Sequence, residues 1–265
     1  MPPIAWRKIL WLLQLLIWLP AAAATERLRF CFQDVALAPY YLGDGQQIRA
    51  VRPGATIEHL QNVVAAVPDV TLQLVRYPWQ RCLRYLQTGE VDAVVANYSA
   101  ERHALGVFPM KDEQPDPKRK FTQQDICLVT SKALAKKWNG QSFTGLSKVT
   151  LAHQSSRSLH QSLTHRQFVR VPISAQAKAL DMLAQNKVQA VSMVCKIAGK
   201  SVMPSGFDPQ TMQTLEPSVE VLHGYLVFSK PFYSANQRLA EELWSQLREP
   251  QTAIYLEYLN APDLD

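Results

Sequence analysis

The sequence has 265 residues, 47% of them hydrophobic and 19% charged, with a formal net charge of +6. Two of those cations, Arg7 and Lys8, lie at the extreme N-terminus, so the remainder carries a modest +4 spread along the chain. The densest basic cluster, PDPKRK at 115–120, has no aromatic residue interleaved, which fits a solvated loop and argues against a nucleic-acid surface.

The chain opens with MPPIAWRK, then the apolar ILWLLQLLIWLP, then AAAAT. A positive start, a short apolar core and small residues make a secretory signal peptide, with cleavage expected after Ala24. The core is shorter than the roughly 20 residues a bilayer span needs. No second long apolar run follows, and no cysteine at the cleavage site offers a lipid anchor. The mature protein, Thr25 to Asp265, is therefore expected to be exported and not membrane-embedded. Its length suits one large domain or two lobes of roughly 100 to 150 residues.

RLRFCFQ (27–33) alternates Leu28, Phe30 and Phe32 and predicts a strand. PGATIEHLQNVVAAV (53–67) follows with Thr56 as candidate cap and Ile57, Leu60, Val63, Val64 and Val67 at helical spacing. VTLQLV (70–75) is a strand. PWQRCLRYLQTG (78–89) is a helix opened by Pro78 and stopped by Gly89. VDAVVAN (91–97) is a nearly continuous apolar strand, the kind buried on both faces. Glu101 and Arg102 then fall in a short polar break expected between two strands. Strand and helix in alternation mean a parallel sheet with helices packed on it.

From Lys111 to Asp125 the periodicity is lost. It restarts with strands at 126–131, 148–152, 168–171 and 188–194, a helix after QSSRS and another at 175–185. GYLVFSK (224–230) is a last strand, followed by helices over 236–247 and 253–259. The phrases LRYLQTGEVDAVVA and LDMLAQNKVQAVSM are alike, so the two units read as structural repeats. The expected architecture is two similar α/β lobes with the chain crossing between them.

Four cysteines, Cys31, Cys82, Cys127 and Cys195, allow three pairings in an oxidising compartment. Cys31 on the first strand and Cys82 on an early helix would share a lobe and are the expected pair; four small buried thiols are the alternative. No C-x-x-C occurs, and His153, His160 and His165 are spaced seven and five apart, which does not align them on one helix face. Neither a metal site nor a cofactor is expected.

The order of these phrases, including YPWQRCLRYLQTGEVDAVVANYSAERHALGVFPM, the leading LAPYY and the late YLVFSKPFY, resembles the family 3 periplasmic solute-binding proteins over nearly all the mature chain. These are the polar amino-acid binders of ABC transporters, with the type II periplasmic-binding-protein fold. The resemblance implies two lobes, each a mostly parallel sheet flanked by helices, with a ligand cleft between them. It places lobe 1 at 25–124 and 224–265 and lobe 2 at 125–223. It implies a monomer that catalyses nothing and hands a small solute to a membrane permease or receptor.

Matched position by position, the resemblance makes Arg102 the residue that grips a ligand carboxylate, a role suited to its permanently charged, forked guanidinium. Asn97 stands where a Ser or Thr usually assists it, with Ser99 nearby. Trp79 stands where an aromatic face stacks on the ligand, and Tyr40 lies near the cleft. HQSSRS (153–158) matches a ligand-binding turn at a helix start, with Ser155 and Ser156 in place, Gln154 replacing a glycine, and Arg157 an addition. The aspartate that pairs with a ligand ammonium is missing: MVCK stands near Val194. The resemblance thus implies an amino-acid-like carboxylate ligand, and either a carboxylate from elsewhere replaces the missing aspartate or the ligand is not a standard α-amino acid. A periplasmic lyase or dehydratase on the same fold would need a general acid or base, for which Glu101 and Asp125 are the candidates.

Overall fold

The computed structural model describes residues 25–154, 163, 166–173, 176–203, 206–248 and 251–260, so the expected signal segment lies outside the described residues. The chain begins with β1 (Glu26–Gln33), α1 (Ala55–Ala65), β2 (Val70–Tyr77), α2 (Trp79–Thr88), β3 (Ala93–Asn97) and α3 (Ala100–Leu105). A two-strand hairpin, β4 (Met110–Lys111) and β5 (Gln114–Pro115), leads into β6 (Thr122–Ser131), α4 (Lys132–Ala135), β7 (Val149–Gln154) and β8 (Phe168–Ile173). Then come α5 (Gln176–Ala184), β9 (Ala190–Ile197), β10 (Lys200–Ser201), β11 (Met212–Thr214) and β12 (Glu220–Phe228). The chain closes with α6 (Lys230–Ala235), α7 (Gln237–Ser245) and α8 (Thr252–Asn260).

The main sheet runs β2-β1-β3-β12-β6-β9-β7-β8. Its first half is parallel through β2, β1 and β3 and is closed by antiparallel β12. Its second half mirrors this, with β9, β7 and β8 parallel and β6 antiparallel to β9. The two halves join where β12 pairs antiparallel with β6. Each half carries a hydrophobic cluster on each face, built on α1, α7 and α8 or on α2 in the first half. In the second half α5 covers one face, while Phe143, Leu163 and Phe168 fill the other. The chain thus has a two-lobed α/β fold, and among the described residues no helix is long and apolar enough to cross a membrane.

Local sequence explains most of these elements. β1 buries Leu28, Phe30 and Phe32, and α1 buries Ile57, Leu60, Val63 and Val64. α2 ends at Gly89, whose φ of 79° is a left-handed conformation that costs glycine little. Four expectations need correction. Thr56 does not cap α1: Gly54 stands at that position with φ 123°, and a Cβ there would collide with the Tyr40 carbonyl, while Thr56 is buried as the second residue of the helix. Glu101 and Arg102 lie on a helix, α3, because Ser99 caps it by accepting the Arg102 backbone N–H at 3.2 Å. β6 starts at Thr122, not Ile126, because its polar start is paired with β12. β12 ends at Phe228, since Ser229 caps the extra helix α6 by accepting the Phe232 N–H.

Both cysteine pairs are disulfides. Cys31–Cys82 fastens α2 to β1, and Cys127–Cys195 fastens β6 to β9; each has its Cα atoms 5.6 Å apart. The long segment after β1 is held by Arg76. Its buried guanidinium donates to the carbonyls of Gln33, Leu42, Gly43 and Gln47 at 2.5–3.3 Å. That clamp fixes the path of the chain through Tyr40 and Tyr41, both buried.

Candidate ligand cleft

Strand register decides where the cleft lies. Gln33 pairs with Tyr77 at the carboxyl ends of β1 and β2, and Asn97 ends β3 on the same edge. Open α/β sheets place ligands beyond such edges. Asn97 is opposite Gly224 of β12, and Gly224 is opposite Thr122 of β6. In the second half, β7 ends at Gln154, while the end of β9 reaches β6 with Val194 opposite Ile126 and Lys196 opposite Asp125. The carboxyl edges of both halves therefore converge on the crossover strands, only three or four residues of β6 apart, about 10 Å.

One face of that crossover is covered and the other is open. Side chains alternate along a strand, and directly opposed residues share a face. Gln124, opposite Leu222 and Ile197, takes the covered face, where Tyr40 Oη donates to Gln124 Oε1 at 2.7 Å and the Tyr255 ring of α8 packs. Gln123, opposite His223, and Asp125, opposite Val221 and Lys196, take the other face. There Val221 is 49% exposed. A hollow of about 160 Å³ lined by Val129, Met193, Lys196, Thr214 and Glu216 adjoins the crossover on the second half. An aromatic run leads from His103 on α3 through Tyr98, Phe108 and Tyr225 to His223, so α3 borders this open face.

Arg102 is half-buried on α3, and its Nη1 donates to the Asn97 carbonyl at 3.1 Å. Among the described residues no carboxylate lies within ion-pairing distance of it. Burial pulls its pKa down and Glu101 partly offsets this, yet a guanidinium stays charged. The neighbouring Glu101 is fully exposed; hydrogen bonds from its own backbone N–H and from the Ser99 hydroxyl lower its pKa more than Arg102 does. So the arginine is not consumed by the adjacent acid.

Trp79, the first residue of α2, is half-buried and packs on the cluster holding Cys31, Cys82 and Tyr225, which places it on the open face. Asn97, half-buried, sits at the meeting of β3 and β12, where a Cβ at Gly224 would collide with Thr122 Oγ1. Arg102, Asn97, Ser99 and Trp79 thus lie at one carboxyl edge of the sheet, with the Asn97 side chain on the face of Gly224 and Leu222 and Trp79 packed on the other. Tyr40 does not join them: it is buried on the covered face. Ser155, Ser156 and Arg157 lie outside the described residues; Gln154, just before them, ends β7.

Sequence reading passed over the floor of this opening. Gln123, Val221 and His223 come from two stretches with little apolar pattern, and only their cross-strand pairing brings them together. Asp125 is 8% exposed; its Oδ2 accepts from Ser218 Oγ at 3.1 Å, and its Oδ1 has no hydrogen-bond partner. His223 is held below the ordinary histidine pKa by burial and by Lys120, against the opposite pull of Asp125. Among the described residues no cluster of three metal-ligating side chains occurs.

No protein-family model and no curated protein matches the sequence. Solved structures do match. An ancestral cationic amino-acid solute-binding protein is 14% identical with a TM-score of 0.61, covering 88% of this chain and 96% of its own. Another structure of that protein describes it as an amino-acid-binding precursor of cyclohexadienyl dehydratase. The probable amino-acid ABC transporter extracellular-binding protein ytmK of Bacillus subtilis is 11% identical, TM-score 0.60, over 89% of this chain and 96% of its own. A putative ABC-transporter binding component of Wolinella succinogenes, complexed with lysine, is 15% identical, TM-score 0.59, over 90% and 97%. The chain has the fold of these amino-acid solute-binding proteins, the type II periplasmic-binding-protein fold.

Proposed function

We propose that this protein is exported through a cleaved N-terminal signal and, in the periplasm, captures a small amino-acid-like carboxylate between its lobes for ABC-type uptake. Lobe 1 comprises 25–124 and 224–265, lobe 2 comprises 125–223, and β6 and β12 act as the hinge. The observation that carries the reading is Arg102: a half-buried guanidinium with one backbone acceptor and no carboxylate partner among the described residues, at the carboxyl edge of a parallel sheet. A carboxylate can take its remaining donors as a bidentate pair. Asn97 and Ser99 flank that position and Trp79 offers an apolar face. Ser155, Ser156 and Arg157 would close on the ligand from lobe 2, and the extra contacts of the closed form would shift the open–closed population. The structural neighbours that bind amino acids, one of them with lysine, support this reading.

The test is a thermal-shift screen of the purified protein against amino acids, small carboxylates and short peptides. A carboxylate that raises Tm in the wild type and not in Arg102→Ala supports the reading; no shift with any carboxylate overturns it. The neighbour described as a dehydratase precursor favours one second reading, a lyase using Asp125 near His223. Turnover of the stabilising ligand would identify that case. Presentation of the closed form to a membrane receptor uses the same binding event.

A further inference from the structure

Charge is divided unevenly between the two halves of the molecule. Residues 125–223 hold eleven lysines and arginines against five acids, whereas the rest of 25–265 holds fifteen against seventeen. The positive excess therefore belongs to the half built on β6, β9, β7 and β8.

One edge of that half collects four of the cations. Thr130 of β6 and Leu151 of β7 both pair with Ala190 of β9, and Val149 of β7 pairs with Phe168 of β8. Continued past the strand ends, these registers bring Lys187 level with Lys148 and set Lys132 and Arg166 beside them. Four adjacent strands thus carry one cation each at the same end, and Lys148 Nζ donates to the Arg166 carbonyl at 3.1 Å. At ~4.8 Å per strand the row is roughly 15 Å long. It lies at the amino ends of β7, β8 and β9, opposite the carboxyl edge that borders the cleft.

All four residues are exposed, as are Lys136 and Lys137 at the end of α4. Among the described residues none of the six is ion-paired. Asp208 feels Lys132, but its carboxylate already accepts from the Thr211 hydroxyl and the Gln210 backbone N–H. Asp181 of α5, the other acid towards this end, is exposed and makes no ion pair with the row.

Scattered surface cations are ordinarily only solvated. Here like charges are held in line at the ends of consecutive strands, where they repel one another and reach one common plane. A planar anionic surface relieves that repulsion at all four positions together. A nucleic-acid surface would interleave aromatics, but the nearby Trp138 is turned inward, donating to the Glu216 carbonyl and packing 5.0 Å from Phe143.

We propose that this row docks the protein peripherally on an anionic phospholipid bilayer. The cleft edge, a strand length of roughly 20 Å away, stays open to solvent. The docking goes beyond the carboxylate-binding reading and does not depend on it.

Vesicle sedimentation of the purified full chain at low salt tests this. Phosphatidylcholine vesicles with about one-third phosphatidylglycerol are compared with phosphatidylcholine alone, which sets the baseline for uptake through the apolar N-terminal stretch. Each cation close to an anionic bilayer strengthens binding about fivefold. Lys132→Gln combined with Lys148→Gln, Arg166→Gln and Lys187→Gln is therefore expected to weaken binding to the anionic vesicles by about a hundredfold. Arg27→Gln combined with Lys111→Gln, Lys118→Gln and Lys230→Gln removes the same charge from exposed sites of the other half and is expected to cost far less. Salt near ~1 M is expected to release the wild type. Two double variants, Lys132→Gln with Arg166→Gln and Lys148→Gln with Lys187→Gln, checked by Tm, keep the test readable if the fourfold variant misfolds. The proposal is overturned if anionic vesicles bind no better than neutral ones, or if the row and the matched set lose equally. Row-dependent capture by soluble heparin without vesicle binding would overturn it too, assigning the row to a different polyanion.

Discussion

Arg102 Nη1 donates to the carbonyl oxygen of Asn97, 3.1 Å away and five residues earlier in the chain. That bond anchors the guanidinium across the end of β3, and Ser99, which caps α3, fixes the helix carrying it. A side chain tethered at one nitrogen loses less rotamer freedom when the rest of its fork is engaged.

Arg102→Ala is therefore expected to weaken binding of any carboxylate ligand at least tenfold, about 1.4 kcal/mol. Arg102→Lys is expected to recover only part of this, because an ammonium lacks the planar fork. Both are read by calorimetry, with the unliganded Tm as a check that folding is intact.

Trp79 should report on ligand. Residues 25–265 hold Trp79, Trp138 and Trp244; Trp244 is buried on the covered face, and Trp138 bonds the Glu216 carbonyl. A saturating ligand is expected to change the emission of the wild type and leave Trp79→Phe nearly silent. An equal change in both would place the responding indole elsewhere.

The two disulfides close sequence separations of 51 and 68 residues. Chain-entropy arguments put each near ~4 kcal/mol of stabilisation. Denatured protein without reductant should show no reactive thiols, and reduction should lower the urea midpoint. The Cys127→Ser, Cys195→Ser pair should loosen β6 against β9, and the Cys31→Ser, Cys82→Ser pair should loosen α2.

His59 gives the fold a pH dependence. It is 1% exposed, stacks 4.1 Å from Phe121 and has Nδ1 3.1 Å from Tyr255 Oη, and burial lowers its pKa to about 4. The unfolded chain protonates near 6.5 and the folded chain only near 4, so the unfolded state binds more protons between these values. Stability from this group is complete above about pH 6.5 and falls as pH drops to about 4, by roughly 3 kcal/mol in all. His59→Gln is expected to flatten the Tm profile in that window; an identical slope in both proteins would remove His59 as the cause.

The sequence made the elements legible wherever apolar periodicity was strong: α1, α2, β3 and the repeat of helix-then-strand in the second lobe. It failed where polarity was maintained by pairing. The polar start of β6 looks like loop, yet β12 satisfies its backbone. The polar break at 99–102 looks like loop, yet Ser99 supplies the cap that starts a helix. Tyr40 is expected near the cleft from the resemblance, but the Arg76 clamp carries it onto the covered face.

By itself the sequence determined an alternating α/β plan in two repeats and an arginine after the third strand as the residue to watch, because composition and period are local properties. Only the tertiary structure decided which face of the crossover is open and which acid lies on its floor. Those depend on register between β6, β12 and β9, segments 60 to 100 residues apart whose pairing no local pattern encodes.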